Sequence, residues 1–175
     1  QLTLVKTVTN DNGGTAQATD WTLTADGPTP ISGATGAPAV TAAAVAVGSY
    51  TLSEAGPPFY DAGSWVCTGA TAQDGSTVTL AEGDDVTCTV ANDDQAPEWV
   101  ISKSSNPASG STVQPGSTVT YTVIATRTGG VTGTGVQVID DLSGVLDHAT
   151  LVGAPEPSAG TVDVTGSTLT WSIPT

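Results

Sequence analysis

The sequence predicts an all-β protein built from two β-sandwich modules in tandem. Short Thr- and Val-rich segments with strand-like alternation recur along the whole chain, and no stretch carries a sustained apolar stripe at helical spacing. The chain has 21 Gly and 11 Pro among 175 residues, and Gly-containing turn signals separate the segments. They include Asn12-Gly13-Gly14, Asp26-Gly27-Pro28, Asp74-Gly75 and Gly129-Gly130. Many short strands punctuated in this way are typical of β-sandwiches.

A polar, Pro-containing stretch marks the boundary between the modules. It runs through Asp93-Asp94-Gln95-Ala96-Pro97-Glu98, between a strand ending near Asn92 and another beginning at Trp99. We therefore predict a first module over residues 1–94, a short, stiff linker over 95–98, and a second module over 99–175.

The second module is predicted to be incomplete at its C-terminal end. Strands are expected over residues 118–126, 135–139, 161–164 and 168–173, which leaves no obvious closing partner for the strand that begins at Trp99. We expect the natural protein to continue beyond Thr175 with the last strand or strands.

The charge balance excludes several classes of function. Three basic residues stand against 17 acidic ones, for a net charge of −14, so the chain lacks the clustered Lys and Arg that nucleic acids and anionic membrane surfaces require. No apolar run approaches the roughly 20 residues that span a bilayer, and we expect no membrane insertion within this segment. We find neither a G-x-S-x-G nor an H-E-x-x-H motif, which disfavours hydrolase chemistry.

We also expect neither cofactor nor metal. Three acidic pairs, Asp84-Asp85, Asp93-Asp94 and Asp140-Asp141, lack the alternating ligand spacing of a calcium loop, and we interpret them as solvated turns. The two cysteines, Cys67 and Cys88, lie on strand-like segments of the first module. With one His in the chain a zinc site is disfavoured, so a disulfide formed in an oxidising compartment is the favoured interpretation and two free thiols are the alternative.

Strand alternation places three polar side chains on core-facing positions of the first module. Lys6 is in phase with Leu2, Leu4 and Val8; Glu54 is in phase with Tyr50 and Leu52, either inside or at the rim; and Asn92 is in phase with Val86, Cys88 and Val90. An amine, a carboxyl and a carboxamide are thus predicted to meet in one core.

Burial of a lone Lys or Glu costs several kcal/mol unless it is paired or neutralised. One interpretation is a buried salt bridge with an amide partner. The other is an intramolecular isopeptide bond, in which a neutral Lys6 amine attacks the side-chain carbonyl carbon of Asn92 and releases ammonia. Desolvation favours the uncharged forms of both amine and carboxyl. A protonated Glu54 would hydrogen-bond the carbonyl and relay the proton to the departing nitrogen.

The first module resembles the collagen-adhesin B-type, prealbumin-like domains of Gram-positive surface proteins and pili. The resemblance covers roughly residues 1–94 and is carried by three segments in order: Leu4 to Val8 around Lys6, Tyr50 to Glu54, and Cys88 to Asn92. It implies that Lys6 and Asn92 are the crosslinked pair and that Glu54 is the catalyst. The two cysteines lie outside the usual pattern of that family.

The second module repeats the inward amine and carboxyl with Lys103 and Asp140. Its segments around Lys103, from Val119 to Val123 and from Gly135 to Leu142, resemble the bacterial surface-protein repeat known as domain of unknown function eleven. They are also similar to the collagen-adhesin A-type arrangement, in which an Asp assists the crosslink. Arg127 stands where that repeat usually has an Asn. Asn106 follows Lys103 too closely to be its acceptor, so we expect Lys103 to be unreacted, with a partner beyond Thr175.

These resemblances imply two immunoglobulin-like or prealbumin-like sandwiches in a stalk, pilus or adhesin at a bacterial cell surface or cell wall. We expect a structural role with single-turnover self-modification and no enzymatic turnover. The expected partners are neighbouring modules or copies of the same protein, joined through a donated strand at the second module. The alternative is an adhesin module that binds a host protein or glycan through its end loops, with Trp21 and Trp65 as candidate contact residues.

Overall fold

The computed structural model describes residues 1–133 and 135–174. The chain forms two compact units, the first over Gln1–Ala96 and the second from Pro97 onward. The predicted all-β class is confirmed, because one single-turn α-helix and two short 3-10 helices are the helical elements in these residues.

The first unit contains nine strands. They are β1 (Leu2–Thr9), β2 (Thr22–Asp26), β3 (Ile31–Gly33), β4 (Gly48–Ala55), β5 (Tyr60–Ala62), β6 (Val66–Thr68), β7 (Ala72–Asp74), β8 (Thr77–Leu80) and β9 (Val86–Asp94). Short 3-10 helices at Ala18–Asp20 and Pro38–Val40 interrupt the loops. In one sheet β9 pairs with β1, β5 and β6, and the other sheet has the order β3-β2-β4-β8-β7.

The core of the first unit collects the alternate residues of strands from both sheets. Along β1 and β9 every second side chain is buried, as the alternation predicted. The buried apolar residues are Leu2, Leu4, Trp21, Leu23, Ala25, Val40, Tyr50, Leu52, Trp65, Val78, Leu80, Val86, Cys88 and Val90. A single packed core of this size fixes the position of one sheet relative to the other.

Strands β1 and β9 run parallel, although they are the first and last strands of the unit. Leu2 pairs with Val86, and the register continues without a shift to Thr9 and Asp93. Parallel pairing lays the two strands side by side with the same direction, so the chain enters the unit at one end of β1 and leaves it at the opposite end of β9.

The second unit contains five strands in two sheets. They are β10 (Glu98–Asn106), β11 (Thr120–Gly129), β12 (Val136–Asp141), β13 (Thr161–Thr165) and β14 (Thr168–Ile173), with helix α1 (Ser143–Leu146) after β12. Strands β10 and β11 form an antiparallel pair, and the other sheet has the order β12-β14-β13.

The second unit buries far less of its apolar surface than the first. Among the residues described, Val131 is its one buried large apolar side chain, whereas Ile101 on β10 is 47% exposed and Ile124 on β11 is 53% exposed. A two-stranded sheet is too small to cover a three-stranded one fully. No helix in the described parts of the chain is long and apolar enough to cross a membrane.

Candidate functional site

Lys6 and Glu54 meet inside the first unit. Lys6 lies on β1 and Glu54 near the end of β4, in opposite sheets of the sandwich. The Nζ atom of Lys6 lies 2.6 Å from Oε2 of Glu54, with the Lys6 side chain fully buried and the Glu54 side chain 11% exposed. The structure therefore places Lys6 within the core and Glu54 at its rim. The rim is one of the two positions predicted for Glu54.

Burial dominates the protonation of the Lys6 amine. Desolvation lowers its pKa, and the hydrogen bond and the charge of Glu54 raise it in part, so that the pKa stays below its ordinary value. An amine held in this way loses its proton more readily than a lysine in water. Glu54 is the hydrogen-bonded group that can take it.

Asn92 supplies the carboxamide on the neighbouring strand. It lies on β9, is 3% exposed, and its Oδ1 atom accepts no hydrogen bond from any residue that the structure describes. Buried carbonyl oxygens almost always have a donor, and an unsatisfied one costs about 1–3 kcal/mol. The orphaned oxygen of Asn92 is therefore an unusual feature in an otherwise well-packed core.

The parallel register brings Lys6 and Asn92 to adjacent positions on the same face. Lys6 pairs with Val90, and Asn92, two residues further along β9, pairs with Val8. Both lie in the buried phase of their strands. Diagonal neighbours of this kind are roughly 7–8 Å apart at Cα, within reach of a long side chain.

One aromatic ring lies beside the amine, and a second packs on the first. The Lys6 Nζ atom lies 4.9 Å from the ring centroid of Trp21, and Trp21 packs edge-to-face on Tyr60 with centroids 5.1 Å apart. Gly56 lies directly against the Trp21 ring, where a Cβ atom would clash with the indole. Strand alternation could not place Trp21 in the core, because it lies just before β2 and outside any strand phase.

Asp94 contradicts the interpretation of the Asp93-Asp94 pair as a solvated turn. It is 4% exposed, and its carboxylate accepts hydrogen bonds from the backbone N–H groups of Asp11, Asn12 and Gly14. Burial raises the pKa of Asp94, but these hydrogen bonds outweigh it and hold the pKa below its ordinary value. The overlooked signal was strand phase, since Asp94 continues the buried alternation of Val90 and Asn92.

A carboxylate oxygen from each of Asp11, Asp93 and Asp94 lies within 4.8 Å of the others. These three residues are the group best placed to hold a cation in the described part of the chain. The Asp94 oxygens already accept backbone N–H groups, so we assign Asp94 to holding the loop that follows β1.

The predicted disulfide between Cys67 and Cys88 is present, with 21 residues separating the two cysteines in sequence. The two residues are directly opposite each other on β6 and β9. The bond therefore attaches β6 to the same strand that carries Asn92.

In the second unit Lys103 and Asp140 form the pair that the strand phases predicted. The Nζ atom of Lys103 lies 2.7 Å from Oδ2 of Asp140 and 5.1 Å from the centroid of the Tyr121 ring. Lys103, predicted to point inward in an incomplete module, has a side chain that is 36% exposed. The cause is the small sheet on which it lies, which leaves this pair partly in water.

The candidate contact residues of the adhesin alternative lie in the core of the first unit. Trp21 is 2% exposed and Trp65 is 8% exposed, so neither ring is presented to a host protein or glycan. Trp99 on β10 and Trp171 on β14 of the second unit are half-buried. The alternative therefore loses these two candidate contact residues, Trp21 and Trp65.

Two family models match the chain. A SpaA-type prealbumin-like fold domain matches residues 1–90, and a domain of unknown function (DUF7927) matches residues 98–172. The predicted two-part composition is thus confirmed. No curated protein and no solved structure matches the chain significantly.

A SpaA-type domain indicates a non-enzymatic structural or adhesin module, and together with the disulfide it indicates an extracellular surface protein.

Proposed function

Because the chain belongs to the family of prealbumin-like fold domains, we propose that its first unit is a structural module that crosslinks itself. The bond joins the side chains of Lys6 and Asn92, and Glu54 is the acid–base catalyst. The module serves as a segment of a stalk, pilus or adhesin rod at a bacterial cell surface. The reaction takes place once in each folded molecule.

The chemistry balances without a cofactor. The proton of the Lys6 ammonium passes to Glu54, and the neutral amine attacks the side-chain carbonyl carbon of Asn92. Glu54 then gives this proton to the departing nitrogen and takes up the second proton of the attacking nitrogen. The C–N bond of the carboxamide breaks, ammonia leaves, and Glu54 ends protonated. One secondary amide replaces one amine and one primary amide. Holding the reacting groups together in the fold lowers the barrier, because the encounter no longer has to be made through solution.

The observation that carries the proposal is the unsatisfied oxygen of Asn92 beside a buried Lys6–Glu54 pair. A purely structural salt bridge with an amide partner would place a donor on that oxygen. A reactive arrangement instead leaves the carbonyl free for a proton from Glu54. The lowered pKa of Lys6 favours the nucleophilic form of the amine.

The strand arrangement gives the bond a mechanical role. Force applied along the chain enters β1 and leaves β9, which run parallel, and so pulls the two strands past each other in shear. A bond between Lys6 and Asn92 would carry that force directly, and residues 7–91 would lie in a closed loop that bears no tension. The disulfide lies inside this loop and would not be loaded.

Intact-mass measurement of the purified chain tests the proposal. The expected mass is the calculated value less two hydrogens for the disulfide and one molecule of ammonia for the crosslink. The ammonia deficit should disappear in Lys6→Ala and in Glu54→Ala, and it should persist in Lys103→Ala as the matched control. A wild-type chain that shows only the disulfide deficit would refute the proposal.

A further inference from the structure

A loop next to the candidate site is held by a residue that the proposed chemistry does not use. Residues 10–16, here named the covering loop, follow β1. Asp94 accepts hydrogen bonds from the backbone N–H of Asp11 at 3.0 Å and of Asn12 at 3.0 Å, and a further one from Gly14. The Asn12 side chain also donates to the backbone oxygen of Asp94 at 2.9 Å. One buried carboxylate thus fastens most of this loop.

The other side of the covering loop is fastened to Tyr60. The Tyr60 hydroxyl donates to Oδ1 of Asn10 at 2.7 Å and accepts from the backbone N–H of Ala16 at 3.1 Å. Gly14 lies between the two anchors, where a Cβ atom would clash with the Tyr60 hydroxyl and approach the Asp94 carboxylate. The loop is therefore packed closely on both Tyr60 and Asp94.

Tyr60 connects the loop to the reacting amine. Its ring packs edge-to-face on Trp21, and the Trp21 ring in turn lies 4.9 Å from Lys6 Nζ. A continuous series of contacts therefore runs from Asp94 through the loop and two aromatic rings to Lys6. Asp94 is also two residues beyond Asn92 in the same buried phase of β9, so one strand carries both the electrophile and the anchor.

We propose that Asp94 is a positioning residue for the crosslink, which fastens the covering loop over Tyr60 and Trp21 and so keeps water away from the Lys6 amine. This inference rests on the proposed function. Without the anchor the loop would lift from Tyr60, Trp21 would lose its support, and water would reach Lys6. A hydrated amine keeps its proton and is a poor nucleophile at neutral pH.

An ionised carboxylate suits this role because the loop presents backbone N–H donors to it. The titratable groups that contact the amine, the aromatic pair or the loop are Glu54 on β4, Tyr60 on β5 and Asp94 on β9. Carboxylate oxygens of Asp11 and Asp93 lie within 4.8 Å of that of Asp94. Asp93 is the adjacent carboxylate, but it is exposed and lies in the opposite phase of β9. It provides a matched control with the same charge and nearly the same position in sequence.

The test follows ammonia loss by intact mass in the full chain, sampled over time during cell-free synthesis and refolding. Wild type, Asp94→Ala and Asp93→Ala are compared from about pH 6 to about pH 10, a range that spans deprotonation of a perturbed lysine. We expect Asp94→Ala to react at least about tenfold more slowly at neutral pH, and the pH at half-maximal rate to rise by about one unit or more. Asp93→Ala should match wild type in both respects.

The shifted pH profile separates positioning from a general loss of structure, which would lower the yield at every pH without moving the midpoint. A wild-type rate and midpoint in Asp94→Ala would overturn the inference. Failure of the wild-type chain to lose ammonia would overturn the proposed function itself.

If Asp94→Ala does not fold, Tyr60→Phe decides the question. It keeps the ring on Trp21 but removes the hydroxyl that binds the loop, so a slower reaction with a raised midpoint supports the inference and an unchanged profile rejects it.

Discussion

The Lys6 amine lies 2.6 Å from the Glu54 carboxylate, with the lysine side chain fully enclosed and the glutamate at the edge of the core. This relationship couples a nucleophile to a proton acceptor that retains a route to solvent. It also explains why a chain with only three basic residues buries one of them. In the proposed reaction, burial lowers the pKa of the amine and so favours the neutral form that attacks Asn92.

Replacement of the nucleophile should remove both the bond and its contribution to stability. Lys6→Met keeps the apolar stem but has no amine, so it should show no ammonia deficit. Loss of a crosslink that closes a loop of about 86 residues should lower the free energy of unfolding by about 4–5 kcal/mol in the chain-entropy model. Denaturant titration of Lys6→Met and of Lys103→Met measures the difference. Equal midpoints for these two variants would argue against a Lys6 crosslink.

Replacement of the catalyst should slow the reaction while leaving the fold in place. Glu54→Gln preserves the size of the side chain and one hydrogen bond to Lys6 but cannot relay a proton. We expect the rate of ammonia loss to fall by roughly 10²–10⁴-fold. Time-resolved intact mass provides the measurement, and Glu82→Gln, an exposed glutamate in the same unit, provides the control. A wild-type rate in Glu54→Gln would exclude Glu54 as the catalyst.

The uncrosslinked first unit should become more stable as the pH rises. In Asn92→Ala the Lys6 amine is retained without an acceptor, and its pKa is lowered in the folded state by burial. The unfolded state then binds more protons than the folded state between that lowered pKa and the ordinary value of 10.5, so the free energy of unfolding increases with pH across this window. Denaturation measured at several pH values should show the increase in Asn92→Ala, and Lys6→Met/Asn92→Ala should lack it. An identical pH dependence in the two variants would show that Lys6 is not the titrating group.

The disulfide should contribute to stability without affecting the crosslink. It closes a loop of 21 residues in sequence, for which the chain-entropy model gives about 3 kcal/mol. The double variant Cys67→Ala/Cys88→Ala should therefore unfold at lower denaturant concentration and still show the ammonia deficit. If the deficit were lost in a folded double variant, attachment of β6 to β9 would be part of the reactive arrangement.

Strand alternation was enough to predict the buried faces of β1 and of β9 as far as Asn92. Leu2, Leu4 and Lys6 lie on one face of β1, and the same period of two places Val90 and Asn92 on the buried face of β9. The parallel pairing of β1 with β9 could not be predicted in this way, because it depends on how the two sheets close around the core. That pairing brings Lys6 and Asn92 to diagonal positions.

Residues outside the strand phases were missed for a physical reason. Trp21 and the covering loop are placed by contacts with Tyr60 and Asp94, which lie on later strands, far away in sequence. Asp94 was assigned to a solvated turn because acidic pairs are usually exposed. In the second unit the phase of Lys103 was correct, but its exposure depends on the extent of the neighbouring sheets, which alternation does not encode.

Trypsin digestion of the denatured, reduced chain followed by mass spectrometry tests the central claim most directly. Trypsin cuts after Lys and Arg, and the sequence offers only Lys6, Lys103 and Arg127. If Lys6 is bonded to Asn92, trypsin cannot cleave after Lys6. Residues 1–103 should then appear as one fragment whose mass is lower than the calculated value by one ammonia. Fragmentation of this peptide in the mass spectrometer should assign the crosslink to Lys6 and Asn92. Cleavage at Lys103 should proceed, as expected for an unreacted lysine. Release of residues 1–6 as a free peptide, with residues 7–103 at their full calculated mass, would contradict the account.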